Sequence, residues 1–475
     1  MQPAPSLPEA LASIVGARHV IGPDGDLEPF IVDWRGRYRG EALAVVKPGS
    51  TAEVAEAVRL CAGRGVAIVP QGGNTGLCGA ATPLGGRPSI VLRLDRMNSV
   101  RSVSRLGDSI AVDAGCILAD IQAAAAAADR LFPLSLGAEG SCRIGGNLST
   151  NAGGTAVLRY GTTRELTLGL EAVLADGTVL DLMTSLRKDS TGIDLKQLFI
   201  GAEGTLGIIT GAVLKLFPRA RQRVVALAKS GDIEAVLDLL ALARSGLGDR
   251  LGAFEIMSRT QVEVIAANVP LVSIPFAIDS DWFVLVELVD SLPDVDLASA
   301  MEGTLAKAFE GGLVSDAIVA SSEAQANSLW AIRHSVSEAS KRAGYVVSHD
   351  SAVPLENQAA FVRRVEARIG AIRPDALVAM HGHVGDGNIH VLAILPNLSA
   401  DQREAAAPVV SAINRAVDEE TAALGGSISA EHGIGVANRE RLARVTPPSE
   451  MDLLRRVKRM LDPDGLMNPG KVLGD

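Results

Sequence analysis

Apolar runs and glycine-rich segments divide the first part of the chain into short strands, helices and loops. Residues 43–46 form an apolar run typical of a buried strand, and Val54, Val58 and Cys61 recur at the spacing of a helix with one buried face. Glycines end this helix, and residues 66–69 predict a second strand. This order of elements places a glycine-rich loop where a strand of a sheet ends.

Four glycine-rich segments precede residue 220. Such a loop at a strand end can direct several backbone N–H groups toward an anion such as a pyrophosphate. One loop alone is as readily an ordinary turn, and the first, QGGNTG, has neither the GxGxxG nor the P-loop pattern. Four such loops are harder to explain as ordinary turns than as the binding site of a cofactor. We expect the longest to be an irregular loop that the bound group orders. The segments are residues 71–76, 113–115, 132–154 and 198–210.

The composition changes near residues 217–219, where we place a domain boundary. Downstream, strand and helix patterns alternate around a long irregular stretch, which predicts an α+β domain with an antiparallel sheet. Upstream, Asp176-Gly177 lies between two apolar runs and predicts a hairpin turn. The predicted domains are residues 1–218, 219–425 and 426–475. Beyond the boundary the predicted strands are residues 224–228, 282–288 and 377–380, and the predicted helices are residues 233–243, 356–372, 401–424 and 450–461.

Size and charge exclude several classes of protein. A chain of 475 residues is too long for one core, and a net charge of −10 argues against a nucleic-acid partner, whose phosphates require a basic surface. No apolar run is long enough to span a membrane, and the N-terminus lacks the pattern of a secretion signal. The four cysteines have no metal-ligand spacing, so we expect buried, reduced thiols and a cytoplasmic location. We expect a homodimer, because two-fold symmetric dimers are the commonest oligomers.

Three of the seven histidines lie within ten residues, at His381, His383 and His390, followed by the apolar residues 391–395. We expect them on a loop and a strand edge over a buried sheet. Neutral imidazole is the commonest protein ligand of metals, and Glu431-His432 lies further along the chain. A zinc-dependent hydrolase would explain the histidines but not the glycine loops. A non-catalytic nucleotide-binding protein would explain the loops but not Glu431-His432.

Seven motifs resemble, in the same order, those of the FAD-linked oxidases of the vanillyl-alcohol oxidase type, in their 2-hydroxyacid dehydrogenase branch. The motifs run from about residue 42 to residue 472 and are VVKPGSTAEVAEAV, PQGGNTGL, IGGNLSTNAGG, GAEGTLGIIT, GHVGDGNIH, SAEHGIG and NPGKVL. The resemblance implies an α+β fold with an FAD-binding domain of two α+β subdomains and an α+β cap domain with an antiparallel sheet. It also implies a C-terminal segment that returns to the flavin and the metal site.

The resemblance assigns the glycine loops to FAD. Some relatives bond FAD covalently through a histidine in the first loop, but this chain has Asn74 there, so we expect non-covalent FAD. The residues that match FAD contacts are Pro70, Gln71, Gly72, Gly73, Asn74, Thr75, Gly76, Leu77, Pro133, Ser135, Leu136, Gly137, Gly145, Gly146, Asn147, Thr150, Ala152, Gly153, Gly154, Glu203, Gly204, Gly207, Ile208, Asn468 and Lys471.

The resemblance also assigns the histidines. His383, His390 and Glu431 match the ligands of a divalent metal, with Zn²⁺ expected, and His432 matches the proton acceptor. Asn388 matches a residue beside the substrate, and His381 precedes the motif and is expected to be structural. A 2-hydroxyacid can chelate a metal through its carboxylate and its hydroxyl, which would acidify the hydroxyl. His432 would then take the proton while a hydride leaves for the flavin N5.

The far end of the substrate is assigned by the segment around Arg333 and Ser337, which resembles the part of the family that binds a distal carboxylate. An arginine can pair with both carboxylate oxygens. The family's lysine is replaced by Ser348, which weakens the case for a dicarboxylate unless His349, Lys341 or Arg342 compensates. We expect D-2-hydroxyglutarate as substrate, with D-lactate or glycolate as the alternative. The family branch favours a dehydrogenase that passes electrons to electron-transfer flavoprotein or a quinone-linked carrier.

Overall fold

The computed structural model describes residues 5–84, 86–396, 398 and 403–474, and the chain forms two compact units. Unit 1 contains the described residues of Met1–Gly154, Gly161–Arg219 and Glu431–Asp475. Unit 2 contains those of Thr155–Tyr160 and Ala220–Ala430. The division at residues 218 and 425 stays a prediction. Among the described residues, no helix combines the length and the apolar character that a membrane crossing requires.

Unit 1 is built on two main sheets. A four-stranded sheet has the order β1-β2-β4-β3 with β2, β4 and β3 parallel, a five-stranded antiparallel sheet has the order β5-β6-β10-β8-β9, and β7 pairs with β11. Numbered in chain order, its strands are β1 (Val20–Ile21), β2 (Ala44–Val46), β3 (Ala67–Gln71), β4 (Ser89–Arg93), β5 (Val100–Ser104), β6 (Ser109–Asp113), β7 (Arg130–Leu131), β8 (Thr167–Val173), β9 (Val179–Leu182), β10 (Ile208–Lys215) and β11 (Phe217–Pro218). Its helices are α1 (Leu7–Val15), α2 (Glu28–Ile31), α3 (Thr51–Gly63), α4 (Leu118–Ala127), α5 (Ile144–Thr150), α14 (Arg439–Val445) and α15 (Pro448–Leu461).

The local elements predicted near the N-terminus are confirmed. Val54, Val58 and Cys61 are buried on α3, and β3 ends at Gln71, so the first glycine loop does follow a strand end. β8 and β9 form the predicted hairpin, which turns through Gly177 at a φ of 80°. None of the four cysteines is in a disulfide, and all four are buried. Burial raises the pKa of the Cys61 thiol to about 12.

The prediction of an irregular loop throughout residues 132–154 is wrong at α5. Ile144 and Leu148 are both fully buried and lie four residues apart, so they supply one buried helix face. A Cβ on Gly145 would lie 2.8 Å from the Cβ of Ala114, so glycine permits the close packing of α5. Ser149 Oγ also donates to Gly145 O at 2.7 Å. Tertiary packing therefore overrides the low helix propensity of the glycines.

Unit 2 is a seven-stranded antiparallel sheet with helices on both faces, as the predicted α+β class requires. The strand order is β15-β12-β14-β13-β17-β18-β16. The strands are β12 (Gln222–Ser230), β13 (Leu251–Ser258), β14 (Trp282–Asp290), β15 (Asp316–Val319), β16 (Tyr345–Ala352), β17 (Leu377–Gly382) and β18 (Asn388–Leu395). The helices are α6 (Val157–Tyr160), α7 (Ile233–Leu247), α8 (Arg259–Asn268), α9 (Leu297–Glu310), α10 (Glu323–His334), α11 (Val336–Ala343), α12 (Gln358–Ile372) and α13 (Arg403–Ala423).

The two faces of this sheet carry separate apolar cores. Helices α7, α9, α12 and α13 pack on one face, and α8, α10 and α11 pack on the other, which we call the histidine face because His381 and His390 lie on it. The predicted long irregular stretch is wrong, because β13 and α8 occupy much of it. β13 is buried on both faces and carries a charged residue, Glu255, so it lacks the alternation that identifies a strand. Residues 401–402 of a predicted helix lie outside the described residues.

The core on the face opposite the histidines depends on Phe361. This side chain is fully buried on α12, and its replacement by alanine leaves a cavity. We expect Phe361→Ala to lower the free energy of unfolding by about 3–5 kcal/mol. Denaturant unfolding followed by tryptophan fluorescence measures the change in unit 2, which contains Trp282 and Trp330.

Phe309→Ala is the matched control, because Phe309 also lies on a helix of unit 2 but is 47% exposed. We expect a change of less than about 1 kcal/mol there. Equal losses in the two variants would show that the packing around Phe361 is not as described.

Candidate active site

The predicted FAD segments approach each other closely within unit 1. A Cβ on Gly154 would lie 2.1 Å from Ser135 O, and one on Gly204 would lie 3.0 Å from Pro70 Cγ. Both residues have positive φ values, 87° for Gly154 and 73° for Gly204. Glycine is therefore required here for space and for conformation. The structure thus brings the segment after α5 against the segment before α5, and the loop before β10 against the end of β3.

Several positions in the same segments face open space. Cβ atoms on Gly76, Gly137 and Gly146 would meet nothing within 4 Å. Asn147 Oδ1 and Asn468 Oδ1 are buried and have no hydrogen-bond partner among the described residues. Buried acceptors of this kind usually have partners, so a bound molecule with hydroxyl and N–H donors fits them. The predicted residues therefore fit FAD.

All but one of the remaining residues predicted to contact FAD lie in these segments, and the exception is Lys471. Asn74 has a φ of 58° and donates from Nδ2 to Val32 O at 2.8 Å, while Gln71 donates from Nε2 to Phe30 O and Ala81 O. Both amides therefore also hold the first loop in place. The remaining positions are Gly72, Gly73, Thr75 and Leu77 in that loop, Pro133 and Leu136 before α5, Gly145 and Thr150 on α5, Ala152 and Gly153 after it, Gly207 and Ile208 at the start of β10, and Lys471 in the C-terminal tail.

Glu203 was predicted as an FAD contact, and its carboxylate binds the chain's own C-terminal segment. Oε1 accepts from Ile434 N at 2.6 Å and Oε2 accepts from Gly435 N at 2.8 Å. Asn468 Nδ2 donates to Glu203 O at 2.7 Å. Burial raises the pKa of the Glu203 carboxyl to about 7, although the two N–H donors and the charge of Lys471 oppose this shift. Glu203 thus anchors the segment that follows His432.

Glu431 and His432 lie beside a predicted flavin loop within unit 1. Gly154 N donates to Glu431 Oε2 at 2.8 Å, and His432 Nε2 lies 3.8 Å from Glu431 Oε1. Both side chains are partly exposed. Unit 1 therefore brings the predicted metal carboxylate and the predicted proton acceptor to the loop that holds Ala152, Gly153 and Gly154.

The histidines are gathered on the histidine face of unit 2. His381 at the end of β17 and His390 on β18 are cross-strand partners, and their rings stack with centroids 4.8 Å apart. His383 follows β17, and its ring meets that of His390 edge-on with centroids 5.8 Å apart. All three side chains are buried. The predicted position of the histidines, on a loop and a strand edge over a buried sheet, is confirmed.

Two carboxylates that the sequence analysis missed lie at the Nδ1 atoms of these histidines. His383 Nδ1 is 2.5 Å from Glu255 Oε1, and His390 Nδ1 is 3.5 Å from Asp350 Oδ1. Metal-binding histidines usually have such a partner at one ring nitrogen and bind the metal through the other. The donor set therefore fits a divalent metal. The only sequence signal for Glu255 and Asp350 was a charged residue within a buried strand.

The charges around Glu255 stabilise its ionised form. Burial raises the pKa of this carboxyl, but the charges of His383 and Arg333 and their hydrogen bonds outweigh burial, so the net pKa lies below its ordinary value. Arg333 Nε on α10 donates to Glu255 Oε2 at 2.8 Å. The predicted substrate residue Arg333 and the predicted metal ligand His383 thus share one buried carboxylate.

The remaining predicted substrate residues differ in their surroundings. Asn388 is buried on the histidine face, donates from Nδ2 to Asp350 Oδ1 at 3.0 Å, and has no described partner for its Oδ1. Ser348 is half-buried on the same face of β16 as Asp350. Ser337 is exposed on α11, and no hydrogen bond among the described residues joins it to Arg333.

The three cations considered as replacements for the family's lysine differ in their positions within unit 2. His349 faces the opposite side of the sheet, where its Nε2 is 2.8 Å from Asn414 Oδ1. Lys341 is exposed on α11, and Arg342 pairs with Glu338 on the same helix. His349 therefore does not share the face of Ser348.

Comparisons with known proteins identify two domains in this chain. The FAD binding domain matches residues 42–183, and the C-terminal domain of FAD linked oxidases matches residues 219–472. An FAD-binding domain followed by such a domain defines a flavin-dependent oxidoreductase. Neither the zinc hydrolase nor the non-catalytic nucleotide-binding protein has support from these domains.

Relatives narrow the class further. A mitochondrial D-2-hydroxyglutarate dehydrogenase of Bos taurus is 40% identical over 98% of this chain and 82% of its own length. A D-2-hydroxyglutarate dehydrogenase of Xanthomonas citri pv. viticola is 35% identical over 94% of this chain and 92% of its own length. The chain therefore belongs to the FAD-linked oxidase family, as its motifs indicated, and it is an FAD-dependent dehydrogenase.

Solved structures establish the fold type. The structure of p-cresol methylhydroxylase with substrate bound has a TM-score of 0.75, covering 99% of this chain and 96% of that chain at 14% identity. A 4-ethylphenol oxidase from Gulosibacter chungangensis has a TM-score of 0.72, covering 98% of this chain and 96% of that chain at 17% identity. The predicted fold of the vanillyl-alcohol oxidase type is confirmed.

The raised pKa of Glu203 makes the stability of the protein depend on pH. Between an unfolded value of 4.5 and a folded value of about 7, the unfolded chain loses this proton while the folded protein keeps it. The free energy of unfolding therefore falls as the pH rises through this window, by up to about 3 kcal/mol at its upper end. We expect Glu203→Gln to remove this part of the pH dependence.

Denaturant unfolding from about pH 5 to about pH 8 measures the difference in slope. Glu41→Gln, which changes an exposed carboxylate of unit 1, should keep the wild-type slope. The same slope in Glu203→Gln as in the wild type would contradict the assigned pKa.

Proposed function

We propose that this protein oxidises a D-2-hydroxyacid, with D-2-hydroxyglutarate as the best candidate, to the 2-oxoacid. The observation that carries the proposal is the histidine face of unit 2, where carboxylates lie at Nδ1 of both His383 and His390. The amide oxygen of Asn388 on this face has no hydrogen-bond partner in the part of the chain that the structure describes. This arrangement suits a metal and a substrate that chelates it. The relatives named D-2-hydroxyglutarate dehydrogenases support the choice of substrate.

The residues that would hold a divalent metal, with Zn²⁺ as the best candidate, are His383, His390 and Glu431. Two imidazoles and one carboxylate are a frequent zinc ligand set that leaves coordination positions open. Glu431 is included because the motif SAEHGIG matches the segment of the family that carries the third ligand. FAD is proposed to be non-covalent, because Asn74 offers no nucleophile for a bond to the flavin.

The cofactors and the side chains have separate roles in the proposed reaction. When bound, FAD supplies an electron acceptor and the metal supplies a positive charge that acidifies the substrate hydroxyl. His432 accepts the hydroxyl proton, and its partial exposure leaves a route for that proton to solvent. Asn388 orients the substrate by its amide. His381 stacks on His390 and restrains that ring, which agrees with a structural role.

The distal carboxylate of the substrate would be bound by Arg333. Among the described residues, Glu255 is the only hydrogen-bond partner of this side chain and uses Nε alone, so the terminal nitrogens remain for a carboxylate. Ser337 and Ser348 would add hydroxyl donors. Because Ser348 replaces a lysine, D-lactate or glycolate is the second candidate substrate.

Electron transfer to electron-transfer flavoprotein or a quinone-linked carrier remains a prediction of the family branch. The homodimer, expected because dimers are the commonest oligomers, and the cytoplasmic location, expected from the cysteines, also remain predictions. Several relatives are named as mitochondrial, so the compartment needs its own measurement. Fractionation of the native cells with antibody detection would decide between the two compartments.

Anaerobic reduction of the bound flavin tests the proposed reaction. The panel contains both enantiomers of 2-hydroxyglutarate, malate and lactate, together with glycolate, with and without a chelator. We expect D-2-hydroxyglutarate to bleach the flavin, the chelator to abolish the bleaching, and Zn²⁺ to restore it. Bleaching by monocarboxylates alone would select the second candidate, and no bleaching in FAD-loaded protein would contradict the proposal.

The proposed proton acceptor has its own test. We expect His432→Ala to lower kcat by about 10²–10⁴-fold, because a positioned general base contributes that much, with FAD and metal contents unchanged. His19→Ala, a histidine of unit 1 on a short 3₁₀ turn, is the control and should keep wild-type turnover. Normal turnover in His432→Ala with intact FAD and metal would exclude His432 as the base.

A further inference from the structure

Glu255 is a buried charge at the centre of the unit 2 sheet. It lies on β13 between β14 and β17, and its side chain is 1% exposed. A carboxylate in such a place is costly unless each oxygen is paired. Here one oxygen meets His383 Nδ1 and the other meets Arg333 Nε, at 2.5 Å and 2.8 Å. Each oxygen therefore serves a different residue of the proposed active site.

The contact with His383 determines which ring nitrogen of that histidine can bind a metal. A carboxylate at Nδ1 accepts a hydrogen bond from Nδ1–H, so the ring proton stays on Nδ1 and the lone pair is on Nε2. The ring of His383 is also buried, and it meets the ring of His390 edge-on with centroids 5.8 Å apart. His383 therefore has little freedom to turn its ring, and Glu255 fixes the protonation pattern of a ring whose position is already restricted.

The contact with Arg333 determines how that guanidinium is presented. The ion pair uses Nε, and the side chain of Arg333 is only 11% exposed, so the group is held in one orientation. A guanidinium fixed at Nε can offer both terminal nitrogens to one carboxylate. Arg333 lies on α10 and His383 follows β17, so no local sequence link joins them, and Glu255 supplies the link.

We propose that Glu255 is a shared positioning residue, which sets the ligand tautomer of His383 and the orientation of Arg333 and so couples metal binding to recognition of a distal carboxylate. This inference rests on the proposed function, because it assigns metal binding to His383. Glu255 lies in none of the seven motifs.

The chemistry of glutamine makes Glu255→Gln the sharpest variant. An amide has one acceptor oxygen and one NH2 donor, so it cannot accept from both partners. If the NH2 faces His383, it donates to Nδ1 and moves the ring proton to Nε2, the ligand atom. If it faces Arg333, it opposes the Nε–H group. Either orientation disrupts one side of the proposed site.

Glu287→Gln is the matched control. Glu287 lies on the adjacent strand β14 and is likewise a paired carboxylate, accepting from Arg223 Nε at 2.7 Å and from Trp330 Nε1 at 2.8 Å. It has no hydrogen bond to a histidine among the described residues. A general effect of removing a paired charge from this sheet would appear in both variants, whereas the proposed effect is confined to Glu255.

The first measurement is the affinity of the FAD-loaded protein for Zn²⁺ in competition with a chelator. We expect Glu255→Gln to weaken the Zn²⁺ affinity by about 10–100-fold. This is the usual effect of losing a carboxylate that is hydrogen-bonded to the other ring nitrogen of a metal-binding histidine. The FAD content should be unchanged, and Glu287→Gln should stay within about threefold of the wild type. Wild-type Zn²⁺ affinity in folded, FAD-loaded Glu255→Gln would overturn the proposal.

A double-mutant cycle shows whether Glu255 acts through His383. We expect Glu255→Gln to cost no further Zn²⁺ affinity once His383→Ala is present, because the two residues act as one unit. Additive losses would overturn the proposal. The KM for a dicarboxylate substrate should also rise more than the KM for D-lactate in Glu255→Gln, and equal changes would remove the link to Arg333.

The wild-type arm separates this inference from the proposed function. A wild-type protein that binds no Zn²⁺ would contradict the metal-dependent function, and with it this inference, before any variant is measured. If Glu255→Gln does not retain FAD or unfold cooperatively, Glu255→Asp replaces it. That carboxylate is one methylene shorter and cannot keep both contacts, so a loss of Zn²⁺ affinity beyond that of Glu287→Gln supports the proposal and an unchanged affinity overturns it.

Discussion

A buried carboxylate held between an arginine and a histidine is the interaction on which the histidine-bearing half of this protein depends. Glu255 stays ionised inside the sheet because Arg333 and His383 each satisfy one oxygen. Removal of either partner would leave an unpaired charge in the apolar interior, which lowers the free energy of unfolding by several kcal/mol. Glu255 on β13 thus links α10, which carries Arg333, to the segment after β17, which carries His383.

A different constraint governs unit 1, where backbone segments must approach each other without side chains between them. Gly154 and Gly204 allow that approach and also adopt backbone conformations that favour glycine. Other glycines face open space, so the same loops can supply backbone N–H groups to a dianionic pyrophosphate. Backbone donors suit an acidic protein, because they bind an anion without adding basic residues.

Much of the fold could be predicted from the sequence, because its signals are local. The helix α3, the strand end at Gln71 and the hairpin at Gly177 each follow from spacing or turn chemistry within a few residues. The family and the FAD-binding domain followed from motifs in the correct order. The position of the histidines on a strand edge followed from an adjacent apolar run.

The missed features depend on packing between distant parts of the chain. α5 forms despite two glycines because Ile144 and Leu148 are buried against neighbouring elements. Glu255 and His383 are 128 residues apart, so their contact has no sign in a single sequence. A glutamate inside a strand also weakens the apolar pattern that would identify the strand. These are the points at which tertiary contacts, rather than local preference, decide the structure.

The most direct test of the account is an anomalous X-ray difference map, collected at the zinc absorption edge from crystals of FAD-loaded protein supplied with Zn²⁺. The account predicts one strong peak at about 2.0–2.1 Å from the Nε2 atoms of His383 and His390, with their Nδ1 atoms still on carboxylates. A zinc peak at another position would contradict the proposed metal site. The absence of a peak at these histidines, in protein whose flavin is reduced by a 2-hydroxyacid, would also contradict it.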